Sequence, residues 1–248
     1  MNALQALIFD VDGTLAETER DGHRPAFNAA FAELDLSWHW DEALYGRLLD
    51  ITGGKERIRH FAATHAPELA ARGDFEDLVR RLHAAKTAHY VRLVENGRLS
   101  LRPGVARLIA SARHTGIRLA IATTTSPENV DALLRASLAP EAPDWFAVIG
   151  AGDIVPAKKP APDIYQWVLD RLGLPPAACL AIEDSENGLK SASTAGVRCL
   201  VTVNDYTRDQ DFSDAWAVRE SLAAVTLESL LADSPGNAMK QASPEGSR

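Results

Sequence analysis

Short, continuous runs of apolar residues dominate the hydrophobic pattern of the chain. Runs of this kind are typical of strands in a parallel sheet that helices cover on both faces. Patterns with apolar residues at helical spacing lie between the later runs, so strands and helices alternate. The chain is therefore predicted to have an α/β fold with a doubly wound parallel sheet, whose strands cover Ala6–Phe9, Arg118–Thr123, Ala147–Ala151, Cys179–Glu183 and Arg198–Val203.

The first predicted strand is followed by an unusually long connection. About 100 residues separate it from the second strand, far more than an ordinary crossover needs. This stretch contains the helical patterns PAFNAAFAEL, DEALYGRLLD and FEDLVRRLHAAKTAHYVRLVEN, and no run typical of a strand. We therefore expect an all-helical domain at 17–97, inserted into an α/β core of residues 1–16 and 98–232. The polar tail, residues 233–248, is predicted to be disordered.

Composition and charge narrow the class of partner. The 248 residues carry a formal net charge of −8, which argues against the broad basic surface of a nucleic-acid-binding protein. No apolar run approaches the ~20 residues that span a membrane, and the N-terminus lacks the pattern of a secretory signal. Cys179 and Cys199 lie in apolar runs, so they are predicted to be buried thiols. We expect a cytoplasmic monomer that binds neither nucleic acid nor a membrane.

Candidate chemistry begins directly after the first predicted strand, in the segment FDVDGTL. In open α/β sheets, ligands collect at the carboxyl ends of the strands. Asp10 and Asp12 leave the strand two residues apart, and Gly13 permits a tight turn, so both carboxylates can face that region. A solvated loop with two acidic residues would give a similar pattern. The DxDGT sequence after a buried strand is more specific and favours a site.

Polar residues also follow three other predicted strands. Hydroxyl groups end the second strand, a pair of lysines follows the third, and two carboxylates end the fourth. Each group alone is explained by helix capping, an acidic helix start or a solvated loop. Their joint occurrence at strand ends favours a single site instead, to which Thr123, Thr124, Thr125, Lys159, Glu183 and Asp184 would belong.

These residues resemble the four motifs of the haloacid dehalogenase superfamily, a Rossmann-like fold in which a helical cap is inserted. DVDGT, Thr123, Lys159 and the pair Glu183-Asp184 match those motifs. The segments IFDVDGTLAETE, TGGKERI, ATTTS and AKKPAPDIY resemble more specifically the CbbY-type members. That resemblance implies a phosphatase that converts xylulose-1,5-bisphosphate, an inhibitor of Rubisco in the Calvin cycle, to xylulose 5-phosphate. Beta-phosphoglucomutases share this layout, so a phosphosugar mutase, or a sugar-phosphate phosphatase of broader specificity, stays an alternative.

The negative charge of a phosphate determines the expected mechanism. Because phosphate repels an anionic nucleophile, Asp10 needs a neighbouring cation, and Mg²⁺ with oxygen ligands would supply it. Asp10 is expected to form an aspartyl-phosphate, while Asp12 acts first as general acid and then as base. Thr123 and Lys159 are expected to stabilise the transferring phosphoryl group. The expected metal ligands are Asp10, the backbone carbonyl of Asp12, Asp184 and, as a partial or outer ligand, Glu183.

The segment ITGGKERIRHF predicts a binding site for a second phosphate. Gly53 and Gly54 precede a helix whose first N–H groups can face an anion, and Lys55 and Arg57 lie in its first turns. Cations on an exposed helix would give the same spacing; the family resemblance favours the phosphate site. His23 stands where the mutases have a histidine in the cap that helps catalysis, but the altered spacing leaves its role open. The other expected substrate-binding residues are Glu17, for sugar hydroxyls, Lys86, Thr124 and Thr125.

Overall fold

Six strands form the sheet in the computed structural model, which describes residues 4–232. They are β1 (Ala6–Phe9), β2 (Arg118–Ala122), β3 (Phe146–Gly150), β4 (Cys179–Glu183), β5 (Arg198–Thr202) and β6 (Ala217–Arg219). Their order is β3-β2-β1-β4-β5-β6, and all neighbouring pairs are parallel. The predicted doubly wound parallel sheet is therefore confirmed.

The apolar runs located the first five strands to within one residue at each end. The sixth strand was missed because Ala217–Arg219 is a three-residue edge strand, largely exposed, without a continuous apolar run. Cys179 and Cys199 are free and buried, as predicted. None of the helices within residues 4–232 is long and apolar enough to cross a membrane.

Helices occupy the long connection between β1 and β2. A π-helical turn, Glu19–His23, comes first. It is followed by α1 (Arg24–Glu33), α2 (Glu42–Leu48), α3 (Gly54–His65), α4 (Pro67–Ala70) and α5 (Phe75–Glu95). This helical insertion, residues 19–95, has its own apolar cluster, in which the aromatic side chains of Phe27, Phe31, Trp40 and Tyr45 pack together. The domain boundaries stay a prediction, and the predicted disordered tail lies outside the described residues.

The remaining helices cover the two faces of the sheet. They are α6 (Val105–Thr115), α7 (Pro127–Ser137), α8 (Asp163–Leu172), α9 (Glu186–Thr194) and α10 (Leu227–Ala232). Successive residues of β1 point to opposite faces. Leu7 and Phe9 pack in one cluster with residues of α6 and α7, and Ala6 and Ile8 in another with residues of α8 and α9. Burial on both faces explains why the strand sequences are continuously apolar.

The helical insertion leaves and rejoins the sheet through two adjacent segments. Ala16 on the outgoing segment forms an antiparallel bridge with Leu101 on the returning segment. Next to it, the backbone N–H of Arg102 donates to the carbonyl of Leu15 at 2.8 Å. Both connections therefore lie beside the loop that follows β1, where the DxDGT segment begins.

Candidate active site

Three buried carboxylates meet at the carboxyl ends of the central strands β1 and β4. Asp10 follows β1, Glu183 ends β4, and Asp184 comes next in the chain. One oxygen from each lies within 4.8 Å of the others. Burial, together with the charges of Glu183 and Asp12, raises the pKa of Asp10 to about 7 despite the opposing charge of Lys159. Burial and Asp10 also raise the pKa of Asp184 well above its usual value. Such a cluster is stabilised in its ionised form by a cation.

Lys159 supplies one positive charge to this cluster. Its Nζ lies 2.7 Å from Oδ1 of Asp10 and 2.7 Å from Oε1 of Glu183. Burial by itself would lower the pKa of Lys159, but the two carboxylates raise it above its usual value. The hydroxyl of Tyr165, on α8, donates to the same oxygen of Glu183. The lysine is thus held, in its charged form, between the ends of two strands.

The donor set of the acidic cluster fits a divalent cation such as Mg²⁺, which prefers oxygen ligands. Oε2 of Glu183 is buried and has no hydrogen-bond partner among the described residues. A Cβ atom on Gly188 would lie 1.9 Å from this oxygen, so glycine allows α9 to pass close to it. Leaving a buried carboxylate oxygen unpaired is costly, and a bound cation would satisfy it. Asp10, Glu183 and Asp184 could therefore hold the metal.

Asp12 faces the helical insertion, in opposite electrostatic surroundings. Its Oδ1 accepts a hydrogen bond from Thr18 at 2.6 Å and lies 2.7 Å from Nε2 of His23. Nδ1 of His23 lies 2.8 Å from Nζ of Lys86. Because a charged lysine can only donate, Nδ1 accepts and Nε2 is left to donate to Asp12. Burial would raise the pKa of Asp12, but the interactions with His23, Thr18 and Lys86 outweigh it and lower the pKa to about 2.

The π-helical turn brings His23 to Asp12. A π-helical turn contains more residues than an α-helical one, so it accommodates the altered spacing that left the role of His23 open in the sequence. The imidazole ring stacks on Tyr90, with ring centroids 4.2 Å apart. Gly22 lets the turn approach: a Cβ atom there would lie 2.9 Å from side-chain atoms of Tyr90 and Leu99. His23 therefore belongs to the site.

One cavity, the catalytic cavity, connects the acidic cluster of Asp10, Glu183 and Asp184 to the helical insertion. Most of the predicted residues line it, namely Asp10, Asp12, Gly53, Arg57, Thr123, Thr124, Lys159 and Asp184. An adjoining cavity, which shares Asp12, Gly53, Arg57 and Thr124, is also lined by Gly54, Lys86 and Thr125. Glu183 lies behind Lys159 and is fully buried. The structure thus brings the sheet-end residues and part of the predicted second-phosphate segment to one place.

Two predicted substrate-binding residues lie elsewhere. Oε1 of Glu17 is 2.7 Å from Nε of Arg102, and Glu17 lines a separate cavity. The buried guanidinium holds the Glu17 carboxylate away from the catalytic cavity in this structure, and the contact of Glu17 with sugar hydroxyls stays a prediction. Nζ of Lys55 lies 2.7 Å from Oδ2 of Asp153, in a neighbouring cavity that Thr124 also lines.

Glu19, which no sequence motif singled out, also lines the catalytic cavity. The carboxylate of Glu19 accepts a hydrogen bond from the hydroxyl of Tyr45, to which Nη1 of Arg57 also donates at 3.0 Å. Nε of Arg57 donates to the carbonyl of Leu48 at 3.0 Å, so the guanidinium is fixed. Nothing in the segment ETE distinguishes Glu19 from Glu17, since the π-helical turn that orients Glu19 has no signature in the sequence.

Known proteins share this architecture. A profile of haloacid dehalogenase-like hydrolases matches residues 4–196. The protein CbbY of Rhodobacter capsulatus is 53% identical over 224 residues, which cover 90% of this chain and 96% of that protein. A phosphorylated carbohydrates phosphatase of Thermotoga maritima is 30% identical over 203 residues, covering 81% of this chain and 85% of that protein.

A solved structure is similar over almost its whole length. It is the D10N mutant of CbbY from Rhodobacter sphaeroides in complex with xylulose-1,5-bisphosphate, with a TM-score of 0.83 and 47% identity. The match covers 92% of this chain and 99% of that chain. The matched profile spans the motif after β1, Thr123, Lys159 and the two carboxylates at the end of β4. The chain therefore belongs to the haloacid dehalogenase-like hydrolases, and it is a phosphatase.

Proposed function

We propose that the chain is a Mg²⁺-dependent phosphatase that hydrolyses xylulose-1,5-bisphosphate to xylulose 5-phosphate and so removes an inhibitor of Rubisco. One observation carries the proposal: the cavity that holds Asp10 and Asp12 is also lined by Gly53 and Arg57 of the TGGKER segment. Hydrolysis of a monophosphate needs only Asp10 and Asp12, whereas binding of a bisphosphate also needs a second anion site. The similar CbbY from Rhodobacter sphaeroides, solved in complex with xylulose-1,5-bisphosphate, supports the same substrate.

Arg57 is the principal candidate for the second phosphate. Its guanidinium donates to Leu48, Tyr45 and Ile51. A guanidinium has five N–H groups, so two of them stay available for an anion. Arg57 is only 6% exposed, and a phosphate there would be shielded from competing water. The fixed position of Arg57 favours an anion at a defined distance from Asp10.

Lys55 is proposed to join this second site when substrate binds. In the structure it pairs with Asp153, but Thr124 lines both its cavity and the two cavities that contain Asp12, and Gly54 is shared with one of those two. A phosphate that carries two negative charges attracts the Lys55 ammonium more strongly than the single charge of Asp153 does. Substrate binding would therefore favour release of Lys55 from Asp153. Lys55 would then contribute to the affinity for bisphosphates and not to chemistry at Asp10.

Asp10 is the nucleophile in the proposed reaction. A carboxylate oxygen of Asp10 bonds to phosphorus, the bond between phosphorus and the sugar oxygen breaks, and an aspartyl-phosphate forms. Mg²⁺ bound by Asp10, Asp184, Glu183 and the carbonyl of Asp12 would neutralise charge on the phosphate. Lys159 stabilises the negative charge on the phosphoryl oxygens, and Thr123 donates a hydrogen bond to them.

Asp12 moves the protons in both steps. Without substrate it is a carboxylate, because His23 and Lys86 hold its pKa low. The charge of a bound phosphate opposes these interactions and favours the protonated form. Asp12 then donates its proton to the leaving sugar oxygen, and afterwards takes one from the water that attacks the aspartyl-phosphate.

A phosphosugar mutase is the alternative, and the product separates the two. We would measure phosphate release with Mg²⁺ from xylulose-1,5-bisphosphate, ribulose-1,5-bisphosphate, fructose-1,6-bisphosphate and beta-glucose-1-phosphate. Preferential release from the xylulose compound, lost with chelator, is the expected result. Slow and even release across the panel would overturn the substrate and leave a broad phosphatase. Isomerisation of beta-glucose-1-phosphate without net phosphate release would favour the mutase.

A further inference from the structure

Arg102 is a buried arginine outside the catalytic cavity that joins the segments around it. It lies on the returning connection of the helical insertion and is 7% exposed. Its Nε lies 2.7 Å from the carboxylate of Glu17, on the outgoing connection. Its Nη1 donates to the carbonyl of Gly13, in the loop that carries Asp10 and Asp12. One side chain thus binds both the insertion connection and the DxDGT loop.

The same guanidinium also binds the end of β5. Nη1 donates to the carbonyl of Thr202 at 2.8 Å and to its hydroxyl at 3.1 Å. Nη2 donates to the carbonyls of Val203 at 2.5 Å and Glu220 at 3.1 Å. The four N–H groups of Nη1 and Nη2 therefore have acceptors, and Nε forms an ion pair with Glu17. A buried charge is tolerated when it is hydrogen-bonded in this way, which explains why the arginine can lie so deep in the core.

The segments that Arg102 joins meet at Asp184. Directly after Val203, Nδ2 of Asn204 donates to Oδ2 of Asp184 at 2.7 Å. From the other side, a Cβ atom on Gly13 would lie 2.1 Å from the same carboxylate oxygen, so the DxDGT loop passes directly against it. The position of Asp184 thus depends on the spacing between these two backbone segments, which Arg102 fixes.

We propose that Arg102 is a positioning residue of the phosphatase, which orients Asp184 towards Asp10 by holding the Gly13 loop and the Val203–Asn204 segment at a fixed distance. The inference rests on the proposed function, because it takes Asp184 as a metal ligand. Arg102 contacts no substrate. Its effect should appear in metal affinity and in kcat, since residues that orient metal ligands typically change affinity or activity by roughly 10- to 100-fold when replaced.

Arg107 offers a matched control. It is exposed, on α6, and its Nη2 donates to the carbonyls of Leu222, Ala223 and Val225, which do not line the catalytic cavity. Arg102 and Arg107 are thus both arginines that bind backbone carbonyls, and only Arg102 binds segments next to Asp184. Substituting lysine at either position keeps the charge and removes most of the hydrogen bonds.

The experiment compares Arg102→Lys, Arg107→Lys and wild type. Calorimetric titration of the metal-free proteins with Mg²⁺ gives the affinity, and hydrolysis of para-nitrophenyl phosphate gives kcat and KM. We expect Arg102→Lys to bind Mg²⁺ roughly 10- to 100-fold more weakly and to lose kcat by a similar factor, with a much smaller change in KM. Arg107→Lys should match wild type in both. Equal Mg²⁺ affinity and kcat in folded Arg102→Lys and wild type would overturn the proposal.

A milder variant keeps the test decisive if Arg102→Lys does not fold. Thr202→Val removes one acceptor of Arg102 at nearly constant volume, together with the 3.4 Å hydrogen bond from the same hydroxyl to the carbonyl of Glu183. A smaller loss of Mg²⁺ affinity in the same direction is expected. An unchanged affinity in that variant would contradict the proposal. Neither measurement uses xylulose-1,5-bisphosphate, so failure of wild type on that sugar would overturn the proposed substrate alone. If wild type bound no Mg²⁺, the proposed metal site would fail, and an unchanged kcat in Arg102→Lys would still refute its positioning role.

Discussion

Asp10 and Asp12 follow the same strand two residues apart, yet their surroundings on the two sides of the cavity shift their pKa values in opposite directions. On the sheet side, burial and neighbouring acids raise the pKa of Asp10 to about 7. On the side of the helical insertion, burial is outweighed by His23, Thr18 and Lys86, and the pKa of Asp12 is about 2. Two carboxylates whose surroundings separate their pKa values are suited to different steps of one reaction.

The two carboxylates also depend on different parts of the fold for their surroundings. The acids around Asp10 come from the ends of parallel strands, so their distances are set by the rigid sheet. His23 and Lys86 come from the helical insertion, so the surroundings of Asp12 depend on where the insertion lies. In the proposed reaction, a cation would therefore complete the sheet side, and the phosphate of the substrate would complete the insertion side.

Replacing the nucleophile should have the largest effect. Asp10→Asn keeps the size of the side chain but removes the attacking oxygen anion, so kcat should fall by roughly 10⁴-fold or more. Acid-quenched turnover should also yield no phosphorylated protein. Asp131→Asn, which changes an exposed carboxylate paired with Arg135, serves as the control. Turnover within tenfold of wild type would show that Asp10 is not the nucleophile.

Replacing the proton-transfer residue should have a smaller effect of a different kind. Asp12→Asn should lower kcat by roughly 10²- to 10⁴-fold, because the leaving oxygen is no longer protonated. Mg²⁺ affinity should stay close to wild type, since only the backbone carbonyl of Asp12 is expected to bind the metal. Calorimetric titration checks this. A loss of Mg²⁺ affinity as large as that of Asp10→Asn would erase the distinction between the two sides.

The stability of the metal-free protein should report the same contrast. The raised pKa of Asp10 means that the folded protein keeps a proton that the unfolded chain has lost, so its contribution to stability declines as pH rises from about 4 to 7. The lowered pKa of Asp12 makes the stability depend on pH only below about pH 4. Relative to Asp10→Asn, wild type in chelator should lose about 1.4 kcal/mol per pH unit across this window.

Urea unfolding at pH 5, 6 and 7 measures this difference. Subtracting the values for Asp10→Asn removes the titrating groups that do not interact with Asp10, such as His83, whose pKa burial lowers to about 4 and which acts in the opposite direction. Saturating Mg²⁺ should abolish the pH dependence of the difference, because it favours the ionised carboxylates. If the difference in unfolding free energy between wild type and Asp10→Asn stayed constant with pH, the pKa of Asp10 would not be raised in the metal-free protein.

The same contrast explains which residues the sequence could locate. Asp10, Lys159, Glu183 and Asp184 follow parallel strands, and the carboxyl ends of such strands must meet, so their proximity was predictable. In the helical insertion, position depends on packing that no short motif encodes. A π-helical turn decides that Glu19, and not Glu17, lines the cavity.

Arg102 was overlooked for a related reason. It stands on a connection before Pro103-Gly104, and a lone arginine on a predicted loop gives no indication that it is buried. Its role depends on acceptors from segments that are about 90 to 120 residues away in the chain and adjacent in the fold. Such backbone acceptors leave no trace in residue identity, unlike the acidic side chains of a metal site.

The smallest expected effect concerns Lys55, on the insertion side. If Lys55 joins the distal phosphate, Lys55→Ala should raise KM for xylulose-1,5-bisphosphate roughly tenfold and leave KM for a monophosphate nearly unchanged. Arg59→Ala is the matched control, since Arg59 lies on the same helix and pairs with Glu76 at the surface. Asp153→Asn removes the present partner of Lys55 and should not weaken bisphosphate binding. Equal losses on both substrates, reproduced by Asp153→Asn, would instead mean that the ion pair only holds the insertion against the core, and Arg57 alone would serve the second phosphate.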